Sequence, residues 1–279
     1  PVQIADRADE VLSNYKVDRN LLCDALERIN THYEAPAETL AHIGLLRESE
    51  AVAVLTGQQT GLFTGPLYSI YKALSAVRMA ERLRDGGVKA VPVFWMATED
   101  HDFKEISNAF SIDSSGALFE SSFSASEGDE GKSVGAIELD ASVTEVIGEL
   151  FDSLPSTEFS DSLKDEVGRS WKQGTSLGTA FGYFLIRLLG KYGLIVVDPR
   201  DPALKKLATP IYAQAIRANA AIVAAVRLRS TDLEDSGYAA QVLVEEDYFP
   251  LFYHTDDGRR VALRRVDDGV FQAKGERTR

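Results

Sequence analysis

The sequence predicts an α/β fold organised around a parallel sheet, and three stretches predict it. Ala51-Val52-Ala53-Val54-Leu55, closed by Thr56-Gly57, and the run Ala90 to Ala97 (AVPVFWMA) are near-continuous apolar segments of strand length, the pattern of strands buried on both faces. Between them, Leu67, Ile70, Tyr71, Leu74 and Val77 recur at helical spacing from Leu67 to Arg84, and Asp85-Gly86-Gly87 supplies a stop. Strand, long helix, strand is a βαβ unit, which places the strands parallel through a right-handed crossover. A third apolar run, Gly193-Leu194-Ile195-Val196-Val197-Asp198, ends in an acid.

The remaining elements follow in order. Residues 18–31 read as a helix capped by Asp18, with Leu21, Leu22, Ala25, Leu26 and Ile29 on one face, and a second helical piece spans 36–48. Residues 108–140 alternate weakly and include the loose SASEGDEGKS, which predicts two or three antiparallel or edge strands and an exposed loop. Helices are expected at 141–153, 159–169 and 176–190. Asp201-Pro202, with Asp as cap and Pro at the first position, opens a helix expected to run to about Leu228. QVLVEED, FPLFYHT, RRVALRRV and GVFQ then read as short strands, with Asp-Gly turns at 257–258 and 268–269. The resulting division is a helical segment 1–48, a core in two parts (49–107 and 176–230), an insertion at 108–175, and an antiparallel appendage at 231–279.

The 279 residues are 44% hydrophobic and carry 30 basic against 43 acidic side chains, a formal charge of −13. That balance is ordinary for a globular protein and excludes collagen-like or wholly disordered classes. It also argues against tracking a nucleic-acid backbone, which needs a positive footprint. The single cysteine, Cys23, permits no internal disulfide and reads as a small buried hydrophobe. No apolar run approaches the ~18 residues of a membrane span, and Pro1 to Asn20 carries no signal-peptide pattern; a cytoplasmic location is expected. A chain that starts without Met and ends in KGERTR, just after a strand-like segment, reads as part of something longer. No GxSxG, HExxH or CxxC occurs.

Two segments carry the chemistry. Thr56 to Pro66 joins the first strand to the long helix, at the edge of an α/β sheet where ligands bind. Gly57, Gly61 and Gly65 allow close backbone approach, Gln58, Gln59, Thr60 and Thr64 add neutral donors and acceptors, and the helix N-terminus favours an anion. The spacing is neither a Walker A loop nor the dinucleotide fingerprint; an anion or nucleotide site is the reading preferred, with a tight turn in a capping role as the alternative. Tyr68 and Lys72, four apart on the helix, share a face, so Lys72 either reaches back to a ligand or is simply solvated. The second strand leads through Trp95 into Glu99, Asp100, His101, Asp102 and Glu105. Carboxylates there can hold an ammonium or a hydrated Mg²⁺ and fit His101 for work as a base; Asp102 with Glu105 is equally a capping box. Asp198 and Arg200 stand at the end of the third strand. Ser176-Leu177-Gly178-Thr179 reads as a cap and turn, and His32, His42 and His254 read as structural or surface residues.

Taken together, GQQTGLFTGPLYSIYKA at 57–73, VPVFWMATEDHDFKEI at 91–106, GLIVVDPRDPALKKL at 193–207 and GYAAQVLVEEDYFPLFYHTDDGRRVALRR at 237–265 closely resemble the BshC family, cysteine-adding enzymes of bacillithiol biosynthesis. The resemblance covers essentially the whole chain, and family members are nearly twice as long. It implies a ligase that joins L-cysteine to glucosaminyl-malate through an amide. It also implies a Rossmann-like core resembling class I nucleotidyltransferases with inserted elements, and a homodimer made by a C-terminal coiled coil beyond Arg279. By the same resemblance, segment 56–66 takes the place of the phosphate-binding signature of the class I aminoacyl-tRNA synthetases, with Gln58 and Gln59 where that signature has histidines.

A carboxylate does not condense with an amine until its leaving group is improved, which implies ATP or another nucleotide, with Mg²⁺ where phosphates transfer. The expectation is that segment 56–66, with Tyr68 and Lys72, holds activating phosphates or the malate carboxylates. Glu99, Asp100 and Asp102 orient amines, His101 removes a proton from the attacking ammonium, and Trp95, Glu105, Asp198 and Arg200 bind substrate. Two rivals stay open: a metal-assisted amidohydrolase using the 99–105 acids, and a non-catalytic ligand-binding protein.

Overall fold

The computed structural model describes residues 2–14, 18–242, 244, 248–267 and 270–273. The chain divides into two compact units, residues 1–207 and 208–279. The first begins with helices α1 (Val2–Asn14), α2 (Arg19–His32) and α3 (Ala37–Leu46), followed by strand β1 (Val52–Gln58), helix α4 (Tyr68–Asp85) and strand β2 (Ala90–Met96). A single-turn helix α5 (Phe103–Ile106), a hairpin of β3 (Asn108–Ile112) and β4 (Leu118–Ser122), and helices α6 (Ser142–Ser153), α7 (Ser160–Ser170) and α8 (Leu177–Leu189) lead to strand β5 (Ile195–Val197). Helix α9 (Pro202–Arg217) follows.

The expected parallel sheet is present, with strand order β1-β2-β5. Val52 to Gln58 pair in register with Ala90 to Met96, and Val93, Phe94 and Trp95 pair with Ile195, Val196 and Val197. The central strand β2 buries every residue but Trp95, and its alternating side chains feed two cores. Phe94 and Met96 pack with Val196, Ala73 and Val77 of α4, and Phe181 and Leu185 of α8. Val91 and Val93 pack on the opposite side with Ile195, Val197, Cys23 and Leu26 of α2, and Ile43 and Leu46 of α3.

Helix α8 is apolar on nearly every side because it serves two cores. Phe181, Leu185, Ile186 and Leu189 face the sheet, while Leu177, Ala180 and Phe184 belong to a separate cluster with Ile137, Leu139, Val143, Ile147, Val167 and Trp171. Helix α8 is thus shared between the sheet and the insertion, whose cluster also takes in Leu62 of the turn after β1. Among the described residues no helix is long and apolar enough to cross a membrane.

Polar groups fasten α2 and α3 to the third strand. Asn30, fully buried, donates its amide to the Val196 carbonyl and accepts from the Val196 N–H, both at 2.9 Å. The Thr39 hydroxyl lies 3.1 Å from the Gly190 carbonyl and 3.0 Å from that of Leu194. His42 Nδ1 is 2.7 Å from the Gly193 carbonyl, an oxygen that can only accept, so the neutral ring carries its proton on Nδ1. Gly193 takes φ +74°, and a Cβ there would come 2.0 Å from His42 Nδ1.

Three expectations are corrected. The buried side of α4 is Ser69, Ala73, Ala76, Val77, Ala80 and Leu83, while Leu67 and Tyr71 are exposed; small residues let the helix lie close to β1 and β2. Leu21 is likewise exposed, and Cys23 and Asn30 share the buried side of α2 with Ala25, Leu26 and Ile29. The long helix after Pro202 is two helices, since Ala218 (φ −94°, ψ 9°) separates α9 from α10 (Asn219–Asp235).

The caps at Asp18, Ser176 and Asp201 form as expected, each accepting backbone N–H bonds from the first turn that follows. In the second unit, strands β6 (Tyr248–His254), β7 (Arg260–Asp267) and β8 (Val270–Ala273) make an antiparallel sheet, with Gly258 at φ +86° in the first turn. Most of the QVLVEED strand, the 268–269 turn and KGERTR lie outside the described residues.

Two consequences can be measured. Leu185→Ala removes a fully buried side chain between α8 and the sheet, and urea unfolding is expected to show a loss of about 2–5 kcal/mol. Burial pushes the His42 imidazole below its ordinary value, with Arg84 adding to the shift and the Gly193 bond opposing it. A depressed folded value means the unfolded state takes up the proton first. Stability from this site is therefore intact above about pH 6.5 and lost as pH falls through the lowered folded value. Thermal melts at stepped pH are expected to show that slope, and His42→Gln to flatten it.

Candidate active site

The three parallel strands end along one edge of the sheet, and each end delivers polar side chains. Strand β1 extends through Thr56 and Gly57 to Gln58, so the first part of the glycine-containing segment is strand rather than loop. Gly57 pairs with Trp95, and a Cβ on it would come 2.7 Å from the Trp95 carbonyl oxygen; glycine is what permits the pairing here.

Gln58 Nε2 donates to Gln59 Oε1 (2.7 Å) and to the Tyr68 hydroxyl (3.2 Å). Lys72 Nζ donates to Gln58 Oε1 (2.7 Å) and to the Gly57 carbonyl (3.3 Å), and lies 5.2 Å from the Tyr68 ring centroid. Tyr68 and Lys72 therefore both turn back onto the end of β1. Gln59 Nε2 donates to Glu105 Oε2 at 2.7 Å and Asp100 Oδ2 at 3.4 Å, carrying the network across to β2.

Beyond β2, the segment 98–101 is held by its backbone. The Thr98 carbonyl accepts from the Gly135 N–H (3.0 Å) and the Asp100 carbonyl from the Val134 N–H (2.6 Å). Asp100 Oδ1 accepts the His101 N–H at 2.7 Å and lies 3.6 Å from His101 Nδ1. The imidazole is about half exposed, with 49% of its side-chain surface open. Glu99 pairs with Lys205 at 2.5 Å. Asp102 accepts the Glu105 N–H at 3.3 Å, so the capping role read for it is filled. A cavity of about 480 Å³ lies between His101 to Lys104 and the loop 125–131.

At the end of β5, Asp198 is buried and heavily bonded. It accepts from the Thr98 hydroxyl (2.5 Å), the Arg200 N–H (3.0 Å), Arg200 Nε (3.2 Å) and an Arg200 terminal nitrogen (2.9 Å). Gly135 and Gly178 make room for this cluster. A Cβ on Gly135 would come 2.5 Å from Thr98 Cβ and 3.0 Å from Arg200 Cζ, and one on Gly178 would come 3.1 Å from Arg200 Nη2. Sequence reasoning passed over Thr98 and Gly135. Their signal is faint, since a threonine after a strand and a glycine in a loop are common, and only the fold brings them to Asp198.

The turn after β1 is tightly closed. Gly61, Thr64 and Gly65 donate their N–H groups to carbonyls of the same turn, and Ser69 and Ile70 donate theirs to Pro66 and Leu67. Phe63 (φ 50°) and Thr64 (φ 79°) take left-handed conformations, and a Cβ on Gly61 would come 2.8 Å from Gly65 Cα. Several amides expected to face an anion are thus used within the turn. The Thr60 and Ser69 hydroxyls are buried and lack a hydrogen-bond partner among the described residues.

The structure brings Gly57, Gln58, Gln59, Tyr68, Lys72, Asp100 and Glu105 into one network, and links Asp198 and Arg200 to β2 through Thr98. Trp95 is partly exposed and points off the network's side of the strand, opposite Phe94 and Met96. Among the described residues no three His, Cys, Asp or Glu side chains are grouped to hold a metal ion.

Comparison with known proteins agrees with this architecture. Residues 3–279 match the family model described as bacillithiol biosynthesis BshC, N-terminal Rossmann-like domain. A relative from Salinibacter ruber, named "Putative cysteine ligase BshC", is 35% identical over 92% of this chain and 47% of its own length. Relatives of the same name from Solibacter usitatus (38% identical, 84% of this chain, 42% of the relative) and Koribacter versatilis (35%, 90% and 46%) are similar. The chain spans about half the length of these curated relatives. The sequence motifs, the parallel sheet and the family match agree: this chain belongs to the BshC family of bacillithiol biosynthesis and matches its N-terminal Rossmann-like domain.

Proposed function

We propose that the protein containing this chain is a carbon–nitrogen ligase that joins the carboxyl group of L-cysteine to the amine of glucosaminyl-malate. Membership of the BshC family supports the reaction class. The observation that carries the site is the convergence of three strand ends, tied across the sheet by the Gln59–Asp100 and Thr98–Asp198 bonds.

The division of labour follows from the chemistry of each end. Gln58, Thr60, Tyr68 and Lys72 offer hydroxyl, amide and ammonium donors beside the β1 turn. The buried, unpartnered hydroxyls of Thr60 and Ser69 make that turn a fitting place for an added group. ATP or a related nucleotide, when bound, supplies a better leaving group on the cysteine carboxyl. Glu99, Asp100 and Asp102 form an acidic rim that attracts and orients an ammonium. His101, half exposed and beside Asp100, is placed to take the proton that the amine must lose before it attacks. Asp100 also fixes the ring's backbone through the His101 N–H.

The test is a mass-spectrometric product assay on the full-length protein. L-cysteine and glucosaminyl-malate are supplied with and without ATP and Mg²⁺, and AMP and ADP are followed in the same samples. Ligated product with stoichiometric AMP or ADP is expected, and absence of product under every condition would overturn the reading. In the same assay His101→Ala is expected to lower turnover by roughly 10²–10⁴ with the fold intact; a normal rate would remove His101 from the role of base.

A further inference from the structure

A second cavity, of about 430 Å³, opens beside the end of β5, between that strand end and the C-terminal part of α2. Its ionisable lining is two acid–base pairs together with the His32 imidazole. Arg28 grips Asp201 through both terminal nitrogens, at 2.7 and 3.0 Å, and Arg200 grips Asp198. Ile29 and Tyr33 give it an apolar wall, and Thr179 a hydroxyl.

We propose that this cavity binds a free α-amino acid by its zwitterionic head group, and that it is the L-cysteine subsite of the ligation proposed above, on which this assignment rests. The charges decide the class. A phosphate or a dicarboxylate entering here would meet the Asp198 and Asp201 carboxylates at close range. An ammonium ion alone would meet Arg28 and Arg200. A zwitterion offers a carboxylate to the guanidinium groups and an ammonium to the acids, and leaves no charge opposed.

The acids are also held in place without the arginine side chains. Asp201 accepts the Ala203 and Leu204 N–H groups at 2.9 and 3.3 Å, and Asp198 accepts the Thr98 hydroxyl and the Arg200 N–H. Arg28, with 55% of its side chain exposed, can therefore turn toward a ligand while Asp201 stays fixed. Tyr33 is buried, and its phenol, neutral at physiological pH and pushed further up by burial, adds no third negative charge. Thr98 joins this cavity to the acidic rim, because its hydroxyl reaches Asp198 from three residues before His101.

Calorimetric titration of the full-length protein tests the assignment. The probes are L-cysteine, cysteamine (no carboxylate), 3-mercaptopropionate (no ammonium), L-malate and inorganic phosphate, each against the wild type, Arg28→Met and Asp201→Asn. L-cysteine is expected to bind the wild type at least about tenfold more tightly than either truncated analogue, and Arg28→Met to weaken it by about tenfold or more. Asp201→Asn keeps an oxygen for the α9 cap while removing the charge. It is expected to weaken L-cysteine and cysteamine but not 3-mercaptopropionate.

No binding of L-cysteine to the wild type, or affinity for it unchanged in both variants, would overturn the proposal. So would Arg28-dependent binding of L-malate or phosphate in place of L-cysteine. If ligated product forms while L-cysteine binding ignores both substitutions, the subsite fails and the ligase reading stands. If Arg28-dependent L-cysteine binding occurs with no ligated product, the subsite stands and the ligase reading fails.

Discussion

The paired hydrogen bonds between Asn30 and the Val196 peptide hold the N-terminal unit in its working arrangement. Strand β5 is only three residues long and pairs with β2 on one side. Asn30 satisfies the Val196 backbone on the other side, as a neighbouring strand would, so a helix stands where a fourth strand could lie. A buried amide with matched partners costs little, whereas the same peptide left unpaired in the interior would cost about 1–3 kcal/mol per group. Ile29 and Tyr33 pack beside Phe181, Leu185 and Val196, and Arg28 reaches Asp201 from the same stretch of α2.

That anchor also explains why the strand ends can be polar without loosening the sheet. Four acids at the edge are bonded to backbone or to a partner cation: Asp198 to Arg200, Glu99 to Lys205, Asp201 to Arg28, Asp100 to the His101 N–H. The hydrogen bond from Arg28 holds the Asp201 carboxyl below the usual carboxylate range. Gly57, Gly135 and Gly178 remove the side chains that would keep these groups apart, since a Cβ at any of them would fall within 3.1 Å of Trp95, Thr98 or Arg200. Backbone proximity and charge pairing are thus one design: the glycines let segments touch, and the bonds between their neighbours fix the touching geometry.

The parts of the fold that could be read in the sequence are those governed by local rules. Apolar runs of strand length gave β1, β2 and β5, and capping chemistry gave the starts of α2, α8 and α9 at Asp18, Ser176 and Asp201. Orientation was harder. On α4 the large residues Leu67 and Tyr71 were read as the inner face, but alanines occupy it, because a helix crossing over two parallel strands approaches more closely with small side chains. Asn30 was invisible for a related reason: a polar residue on an apolar helix face looks like an interruption until a strand edge is brought to it from position 196. At the site, the segments 57–68 and 99–105 were legible because their chemistry is concentrated in sequence. Thr98 and the Arg28–Asp201 pair were not, since these bonds join residues 100 and 173 apart in the chain.

The charge of the whole chain is a poor guide to what this edge can bind. At −13 the protein should repel anions, yet every strand end is supplied with its own cation: Lys72 at Gln58, Lys205 at Glu99, Arg200 at Asp198. Over the ~8 Å screening length of physiological salt, a ligand senses these neighbours rather than the distant surplus of acids. The three cations differ in what faces them. Lys72 donates to neutral oxygens, the Gln58 amide and the Gly57 carbonyl, so its positive charge is least cancelled and suits an anionic group. Lys205 and Arg200 are each matched by a carboxylate, Glu99 and Asp198. The edge therefore varies from strand to strand in how each cation is paired, which the net charge of the whole chain does not reveal.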